Sequence, residues 1–186
     1  MKRFTLLDTP LPGLMVLKRE LIQDSRGSLT RLFCNRELLH CGWQTPVAQI
    51  NHTSTAQKGT IRGMHFQKPP HQEKKLITCL QGEIWDVAVD IRADSPTFLQ
   101  WYGCRLSAGN LLSFLIPEGF AHGFQTLTDS VVLVYCHSSE YNAHAEGGLN
   151  PQDSRLMINW PVAVTEISKR DRSHPDIPKD FAGVCL

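Results

Sequence analysis

The segment Glu83-Ile-Trp-Asp-Val-Ala-Val-Asp-Ile-Arg92 decides the fold class that we expect for this chain of 186 residues. Apolar residues recur at every second position of the segment, which is the period of a β-strand with one buried face. These apolar residues are Trp85, Val87, Val89 and Ile91. Asp86 and Asp90 alternate with them and lie on the opposite face. The segment therefore predicts a strand rather than a helix.

Short stretches of the same kind occupy most of the remaining sequence and are separated by turns rich in Gly, Pro, Asn and Asp. The other strand candidates are residues 14–22, 28–34, 47–53, 60–67, 75–81, 97–106, 111–116, 122–127 and 130–138. About ten short strands spaced roughly 8–12 residues apart are typical of a β-sandwich or barrel. We therefore predict an all-β fold of the jelly-roll type with short peripheral helices. One such helix is predicted at 35–39, with Asn35 as its cap.

The length fits a single domain over residues 1–186, with a core of about residues 5–175 and a polar C-terminal tail. Lys and Arg number 19 and Asp and Glu number 18, so the formal net charge is +1. This balance argues against a nucleic-acid or membrane-surface partner, which would require a basic excess. The start of the chain lacks a signal peptide, and no apolar window of about 18 residues is present. We therefore expect a cytoplasmic protein with no membrane partner.

Two glycine-flanked histidines are the strongest candidates for chemistry, namely His65 in Arg62-Gly-Met-His-Phe-Gln67 and His122 in Pro117-Glu-Gly-Phe-Ala-His122. One interpretation is purely structural, because a buried histidine needs only a hydrogen-bonding partner. A second interpretation is a metal site, since residues 109–122 resemble the second sequence motif of cupins. The first cupin motif would need a second histidine two residues after His65, and Gln67 stands there. The spacing therefore disfavours metal binding.

A third interpretation is acid–base chemistry without a metal. Moving a proton on and off a carbon beside a ketone needs a base near neutral pKa, a cation for the enolate oxygen and an acid on the opposite face. His65, Lys75 and Tyr135 are the residue types that this chemistry uses. Each of them alone is more often an ordinary core or surface residue.

The order of several further motifs carries a resemblance to a known family. The motifs are residues 62–67, Asp86-Val-Ala-Val-Asp90-Ile-Arg, Ser95-Pro-Thr-Phe98, residues 117–124, Glu140-Tyr141-Asn and Trp160-Pro161. Together they resemble the dTDP-4-dehydrorhamnose 3,5-epimerase family over roughly residues 5–175. The resemblance implies a cupin-like jelly roll that works as a homodimer, without metal or cofactor. It also implies a nucleotide-diphosphate sugar as the substrate, with inversion of carbons 3 and 5 of a 4-keto-6-deoxyhexose.

The resemblance also implies a role for each matching position. The catalytic positions are His65 as the base, Asp171 as its carboxylate partner, Lys75 as the enolate stabiliser and Tyr135 as the acid. The substrate-binding positions are Arg26, Gln49, Asn51, Arg62, His122, Tyr141, Glu146 and Arg170. Of these, Arg26 is expected to reach the diphosphate in the partner subunit's site.

Three departures from the family pattern leave the nucleotide and the sugar open. Arg31 stands where the family commonly has Glu, Gly148-Leu-Asn150 replaces a segment that more often carries Ile and Trp, and the C-terminal tail is short. Arg170 stands where the family usually has Lys, which preserves the charge but not the geometry. The runner-up functions are an epimerase acting on carbon 3 or 5 only, or one using another nucleotide. From other classes, a metal-dependent cupin enzyme and a silent sugar-nucleotide-binding module are the alternatives. A final expectation concerns geometry: Arg62 and His65 share a face only if Gly63 forms a bulge.

Overall fold

The structure is a computed structural model that describes residues 2–186, and strands dominate it. The strands are β1 (Phe4–Asp8), β2 (Met15–Arg19), β3 (Leu21–Asp24), β4 (Gly27–Thr30), β5 (Gln49–Thr55), β6 (Thr60–Gln67), β7 (Lys75–Gln81), β8 (Glu83–Asp90), β9 (Trp101–Ser107), β10 (Leu112–Ile116), β11 (Phe120–Thr126), β12 (Val131–His137), β13 (Glu146–Gly148) and β14 (Glu166–Ile167). The helices are α1 (Asn35–Leu38) and α2 (Lys169–Arg172), and a 3₁₀ turn covers Leu39–Cys41. The all-β prediction is confirmed.

Two sheets carry the fold. Sheet 1 has the strand order β1-β2-β10-β7-β12-β5, and sheet 2 has the order β13-β6-β11-β8-β9. These pairs are antiparallel, whereas β14 adds to β6 in parallel. Strands β3 and β4 form a separate hairpin. This arrangement is consistent with the predicted cupin-like jelly roll.

The apolar core lies in three layers. The middle layer holds residues of both sheets, for example Ile77 and Leu133 from sheet 1 and Phe124 from sheet 2. A second layer packs the outer face of sheet 1 against Leu38 and Trp43. Because side chains alternate along each strand, odd-numbered residues of β7 and β12 point between the sheets. This alternation determines which polar residues can reach the interior.

Two expectations are corrected in this part of the fold. The first is the polar C-terminal tail, because the C-terminal part of the chain forms a third layer. It packs Leu156 and Ile177 onto Val87 and Val89 on the outer face of sheet 2. Strand β8 is consequently buried on both faces. Its polar Asp86 lies on the other face, which points between the two sheets, and is fully buried there instead of facing solvent. The polar composition of residues 168–180 concealed these few apolar contacts.

The observed element boundaries correct other predictions. Residues 14–22 contain two strands, since the chain turns between β2 and β3. The predicted strand at 28–34 ends at Thr30, and the one at 97–106 begins only at Trp101. Helix α1 begins at Asn35 itself, so the cap residue is Cys34 rather than Asn35, and Cys34 makes no side-chain cap.

Within the described part of the chain, no helix is long and apolar enough to cross a membrane.

Candidate functional site

A cavity of about 200 Å³ opens at one end of the space between the two sheets. Its walls come from opposite sheets, and this brings together residues that are far apart in the sequence. The lining residues are Asn51, Thr53, Arg62, His65, Phe66, Gln67, Glu73, Lys75, His122, Phe124, Tyr135, His137, Tyr141, Glu146 and Arg170. Sheet 2 contributes the pair His65 and His122, which face each other across β6 and β11. Sheet 1 contributes Lys75 and Tyr135.

The predicted bulge at Gly63 is present. His65 pairs with His122, whereas Arg62 pairs with Phe124, so three steps along β6 match two steps along β11. Both Arg62 and His65 therefore reach the cavity. Gly63 has φ +136°, and a Cβ there would lie 2.9 Å from the His122 carbonyl oxygen. Only glycine combines this backbone conformation with such a close approach.

His65 is held by a carboxylate from the far end of the sequence. Its Nε2 lies 2.8 Å from Oδ1 of Asp171, and Oδ2 of Asp171 accepts a hydrogen bond from the Gly63 backbone at 3.2 Å. Ser168 caps helix α2 by accepting a hydrogen bond from the Asp171 backbone, and this cap places the carboxylate. Donation from Nε2 leaves Nδ1 of His65 without a proton and able to accept one.

The electrostatics favour an ionised Asp171. Burial raises the pKa of Asp171, but the hydrogen bond and the charge of His65, the Gly63 backbone hydrogen bond and Arg170 together hold it well below its usual range. A carboxylate in this state stabilises the imidazolium that forms when His65 takes a proton.

The depressed pKa of Asp171 predicts a pH-dependent contribution to stability. A carboxyl whose pKa is lower in the folded protein stabilises it above the unfolded pKa of about 3.9, and the contribution is lost as the pH falls towards the folded value. We expect Asp171→Asn to lower the free energy of unfolding by about 1–3 kcal/mol at pH 7. Urea titrations should show that the difference in the free energy of unfolding between the wild type and Asp171→Asn narrows below about pH 4. Asp94→Asn, at an exposed carboxyl, is the control. A difference in the free energy of unfolding that stays constant with pH would contradict the depressed pKa of Asp171.

The opposite wall supplies a cation and a hydroxyl. Lys75 is 7% exposed, and its Nζ donates to the His65 carbonyl at 3.3 Å. Tyr135 lies on the neighbouring strand and packs edge-on against His122 with ring centroids 5.8 Å apart. Burial, helped by the charge of Asp86, raises the pKa of Tyr135 far above its usual value. Its hydroxyl is therefore protonated at neutral pH and can act as an acid.

His122 forms a second histidine–carboxylate pair deeper in the cavity wall. Its Nε2 lies 2.6 Å from Oδ1 of Asp86, and both side chains are almost fully buried. Burial raises the pKa of Asp86 and lowers the pKa of His122, while the charge interaction and the hydrogen bond between the two residues oppose both shifts. This pair suits hydrogen bonding at the cavity wall.

The remaining predicted binding residues lie at the cavity rim, with one exception. The Tyr141 hydroxyl donates to Glu146 at 3.0 Å, and Arg170 Nη1 lies 3.1 Å from the same carboxylate. Gln49 and Asn51 are joined by a 3.0 Å hydrogen bond.

The exception is Arg26, which the chain does not bring to its own cavity. It lies at the turn of the β3–β4 hairpin, pairs with Asp24, and its side chain is 87% exposed. Arg31, at the position where Glu is usual, pairs with Glu37 beside α1. Arg26 therefore does not take part in the cavity of its own subunit.

Three residues near the cavity were missed or left aside by the sequence interpretation. Glu73 and His137 line the cavity beside Lys75 and Tyr135. Their positions two residues before Lys75 and two residues after Tyr135 were the available signal, because alternate strand residues share a face. His174 lies behind His65, and a Cβ at Gly148 would clash with its ring. No local pattern marks His174.

His65, Asp171 and His174 have ligand-type atoms within 4.8 Å of one another, which is the arrangement required of a metal site. The donor set does not fit a divalent cation. Asp171 is engaged by His65, and the Arg170 guanidinium places Nη2 3.1 Å from His65 Nε2. A metal ion there would meet this positive charge directly. The geometry therefore favours the acid–base interpretation over a metal-dependent one.

Comparisons with known proteins point to one family. The sequence profile of the dTDP-4-dehydrorhamnose 3,5-epimerase family matches residues 8–179. Relatives of that name from Shigella flexneri and Salmonella typhimurium are each 38% identical, over 89% and 91% of this chain and 91% and 93% of theirs.

Solved structures extend the agreement to three dimensions. The epimerase from Bacillus anthracis, with TDP and pyrophosphate bound, is 40% identical and superposes with a TM-score of 0.90 over 94% of this chain and 99% of its own. The enzyme from Legionella pneumophila in complex with dTDP-4-keto-L-rhamnose has a TM-score of 0.91 at 32% identity, covering 98% of both chains. The chain therefore belongs to the dTDP-4-dehydrorhamnose 3,5-epimerase family of isomerases.

Proposed function

We propose that this chain inverts carbons 3 and 5 of a dTDP-4-keto-6-deoxyhexose through enolate intermediates, with His65 as the base and Tyr135 as the acid. The observation that carries the proposal is the placement of these two residues on opposite sheets with one cavity between them. Inversion requires a proton to leave from one face of the sugar and to return on the other. The two facing walls supply this geometry.

The first step is proton removal. The 4-keto group acidifies the hydrogens on the adjacent carbons, and Nδ1 of His65 takes one of them while Asp171 stabilises the resulting imidazolium. Electron density then moves from the broken C–H bond to the keto oxygen. A positioned base of this kind contributes about 10²–10⁴-fold to the rate.

The second step is return of the proton on the opposite face. Lys75 is the buried cation that stabilises the enolate oxygen, and burial strengthens this interaction because the cavity wall has a low dielectric constant. As the ketone re-forms, Tyr135 donates its proton to carbon. Solvent water then returns a proton to the Tyr135 phenolate and removes the proton from the His65 imidazolium. The same sequence at the second carbon completes the reaction.

A product analysis tests this proposal. We expect purified enzyme to convert dTDP-4-keto-6-deoxyglucose into the sugar inverted at both carbons, which borohydride reduction and NMR would identify. Recovery of unchanged substrate would overturn the proposal and would favour the silent binding module.

A mono-epimerase is the second candidate, and one comparison favours it. ChmJ, a 3'-monoepimerase from Streptomyces bikiniensis solved with dTDP-quinovose, is 30% identical and has a TM-score of 0.84 over 90% of this chain. A product inverted at carbon 3 alone would establish this function instead. Parallel assays with substrates carrying other nucleoside diphosphates would test the dTDP preference.

The proposal includes a homodimer of single-domain subunits. Arg26 does not line the cavity of its own subunit, so its expected role in substrate binding supports a neighbouring subunit. Two exposed apolar side chains are available for such a contact. Leu29 is 63% exposed on the same hairpin, and Ile50 is 65% exposed on the edge strand β5. Sedimentation equilibrium should give twice the mass of 21.0 kDa, and a monomer that is fully active would contradict this arrangement.

A further inference from the structure

Glu73 has a buried carboxylate that the mechanism above does not use. It lies in the loop before β7, and its side chain is 9% exposed. One oxygen, Oε1, lies 3.2 Å from Nζ of Lys75, and the other, Oε2, lies 2.6 Å from Nδ1 of His137. His137 pairs directly with Lys75 across β12 and β7, so the three groups meet on one wall of the cavity.

The contact with His137 continues as a chain of hydrogen bonds to the cavity rim. The Tyr141 backbone N–H donates to Oε1 of Gln49 at 3.0 Å. Nε2 of Gln49 donates to Oδ1 of Asn51 at 3.0 Å, and Nδ2 of Asn51 lies 3.4 Å from Nε2 of His137. This chain of hydrogen bonds thus crosses sheet 1 from Tyr141 to Lys75.

The direction of these hydrogen bonds is fixed by the first donor, the Tyr141 backbone N–H. A backbone N–H can only donate, so Gln49 must present its amide oxygen to Tyr141 and its amide nitrogen to Asn51. Asn51 then presents its own nitrogen to His137, whose Nε2 must accept. The imidazole consequently carries its proton on Nδ1 and donates it to Glu73. Glu73 therefore acts as an acceptor on both oxygens, which is the property of a carboxylate.

We propose that Glu73 and His137 are positioning residues, which hold the Lys75 ammonium in its charged form at the place where the enolate oxygen develops. The inference rests on the role proposed above for Lys75 and adds to it the groups that set its charge and direction. Neither residue belongs to the binding or catalytic set inferred from the sequence.

The charges around Lys75 support this role. The titratable or charged groups that line the cavity with Lys75 are Glu73 from the preceding loop, Tyr135 and His137 from β12, Arg62 and His65 from β6, His122 from β11, and Tyr141, Glu146 and Arg170 at the rim. Asp86 lies behind His122, to which it is hydrogen-bonded. Within residues 2–186, Glu73 forms the salt bridge to Lys75. A buried ammonium without such a partner would favour its neutral form, and a neutral amine stabilises an enolate poorly.

The pKa of Glu73 is consistent with its role as the partner of Lys75. Burial raises the pKa of Glu73, but the charge of Lys75 and the hydrogen bond and charge of His137 outweigh burial, so the net pKa lies below the usual value. The ionised form of its carboxyl group is therefore favoured.

The chain of hydrogen bonds also has a consequence at acid pH. Protonation of His137 on Nε2 would point its new N–H at the amide N–H of Asn51, and two donors cannot share a hydrogen bond. The chain would break between these two residues, and Glu73 would then be shared with an imidazolium. Activity should therefore fall on the acid side through His137 as well as through His65.

Glu73→Gln is the first test, because it keeps the size of the side chain and removes its charge. We expect kcat for epimerisation to fall about 10–100-fold with KM changed less than about threefold. The alkaline limb of the kcat profile should move to lower pH, since the negative charge that opposes loss of the Lys75 proton is then absent. Glu73→Asp should recover part of the activity and of the alkaline limb. Glu140→Gln, at an exposed carboxyl, is the control.

His137→Phe is the second test, and it separates hydrogen bonding from packing. The His137 ring stacks on Tyr135 with an interplanar angle of 7° and a centroid distance of 5.9 Å, and phenylalanine can keep this stacking. We expect a fall in kcat of about tenfold and loss of the His137 contribution to the acid limb. His40→Phe, at an exposed histidine, is the matched control. Thermal melts and dTDP binding should show that each variant is folded.

Four outcomes decide between the possibilities. Shifted pH limbs with retained dTDP binding support the proposal. Variants that exchange the sugar hydrogens with solvent deuterium at the wild-type rate and with the wild-type pH profile overturn it, as does a loss of activity with unchanged pH limbs. If the wild-type enzyme itself exchanges no hydrogen, the proposed function fails, and that failure is distinguishable because it precedes any comparison of variants.

Discussion

Replacing His65 with Ala is expected to lower kcat for epimerisation by about 10²–10⁴-fold and to leave dTDP binding nearly unchanged. The imidazole is the group placed to remove the first proton, and Asp171 keeps it in the tautomer that can do so. Loss of the base should stop both inversions, since one histidine on the sheet 2 wall serves both carbons. Progress curves followed by NMR would measure the effect.

The control for this substitution is His40→Ala, which removes an exposed imidazole. Asp171→Asn should give an intermediate loss of kcat, because the histidine remains while its orientation and imidazolium stabilisation are weakened. A His65→Ala enzyme that retains more than about a tenth of wild-type kcat would contradict the assignment of His65 as the base.

Replacing Gly63 with Ala is expected to lower the free energy of unfolding by about 2–5 kcal/mol. The φ of +136° is strained for alanine, and the new methyl group would meet backbone atoms of His122 and Gly123 that cannot move aside like a flexible side chain. The substitution should also reduce activity, because the bulge points both Arg62 and His65 into the cavity. Urea denaturation would measure the stability change.

Two other glycines separate the causes of this effect. Gly42 also has a positive φ, of +84°, but a Cβ there would meet nothing within 4 Å. Gly109 has neither a positive φ nor a close neighbour. We expect Gly42→Ala to cost about 1 kcal/mol and Gly109→Ala to cost almost nothing. A Gly63→Ala protein as stable as Gly109→Ala would show that the bulge is not under steric constraint.

The sequence predicted the parts of the fold that depend on local pattern. Alternation in residues 83–92 indicated a strand, and the glycine between Arg62 and His65 allowed the bulge that the structure contains. The boundaries of β3 and β4 were missed, because residues 21–30 are exposed and carry little apolar alternation. The burial of β8 on both faces was also missed, since it depends on contacts from residues more than sixty positions away.

The residues of the candidate site likewise divide into those that the sequence indicated and those that it did not. His65, Lys75 and Tyr135 were found from their chemistry and from the resemblance to a known family. Glu73 and His137 could be connected only once β7 and β12 were known to pair with His137 opposite Lys75. A register between distant strands is set by the whole core, and no local spacing reveals it.

Deuterium exchange in heavy water tests the central claim most directly. We predict that dTDP-4-keto-6-deoxyglucose incubated with the enzyme in D₂O gains deuterium at carbons 3 and 5, as resolved by NMR, and that His65→Ala abolishes both. Tyr135→Phe should allow proton removal while slowing the return on the opposite face. Absence of deuterium at both carbons with the wild-type enzyme would contradict the account, and deuterium at one carbon alone would make the protein a mono-epimerase.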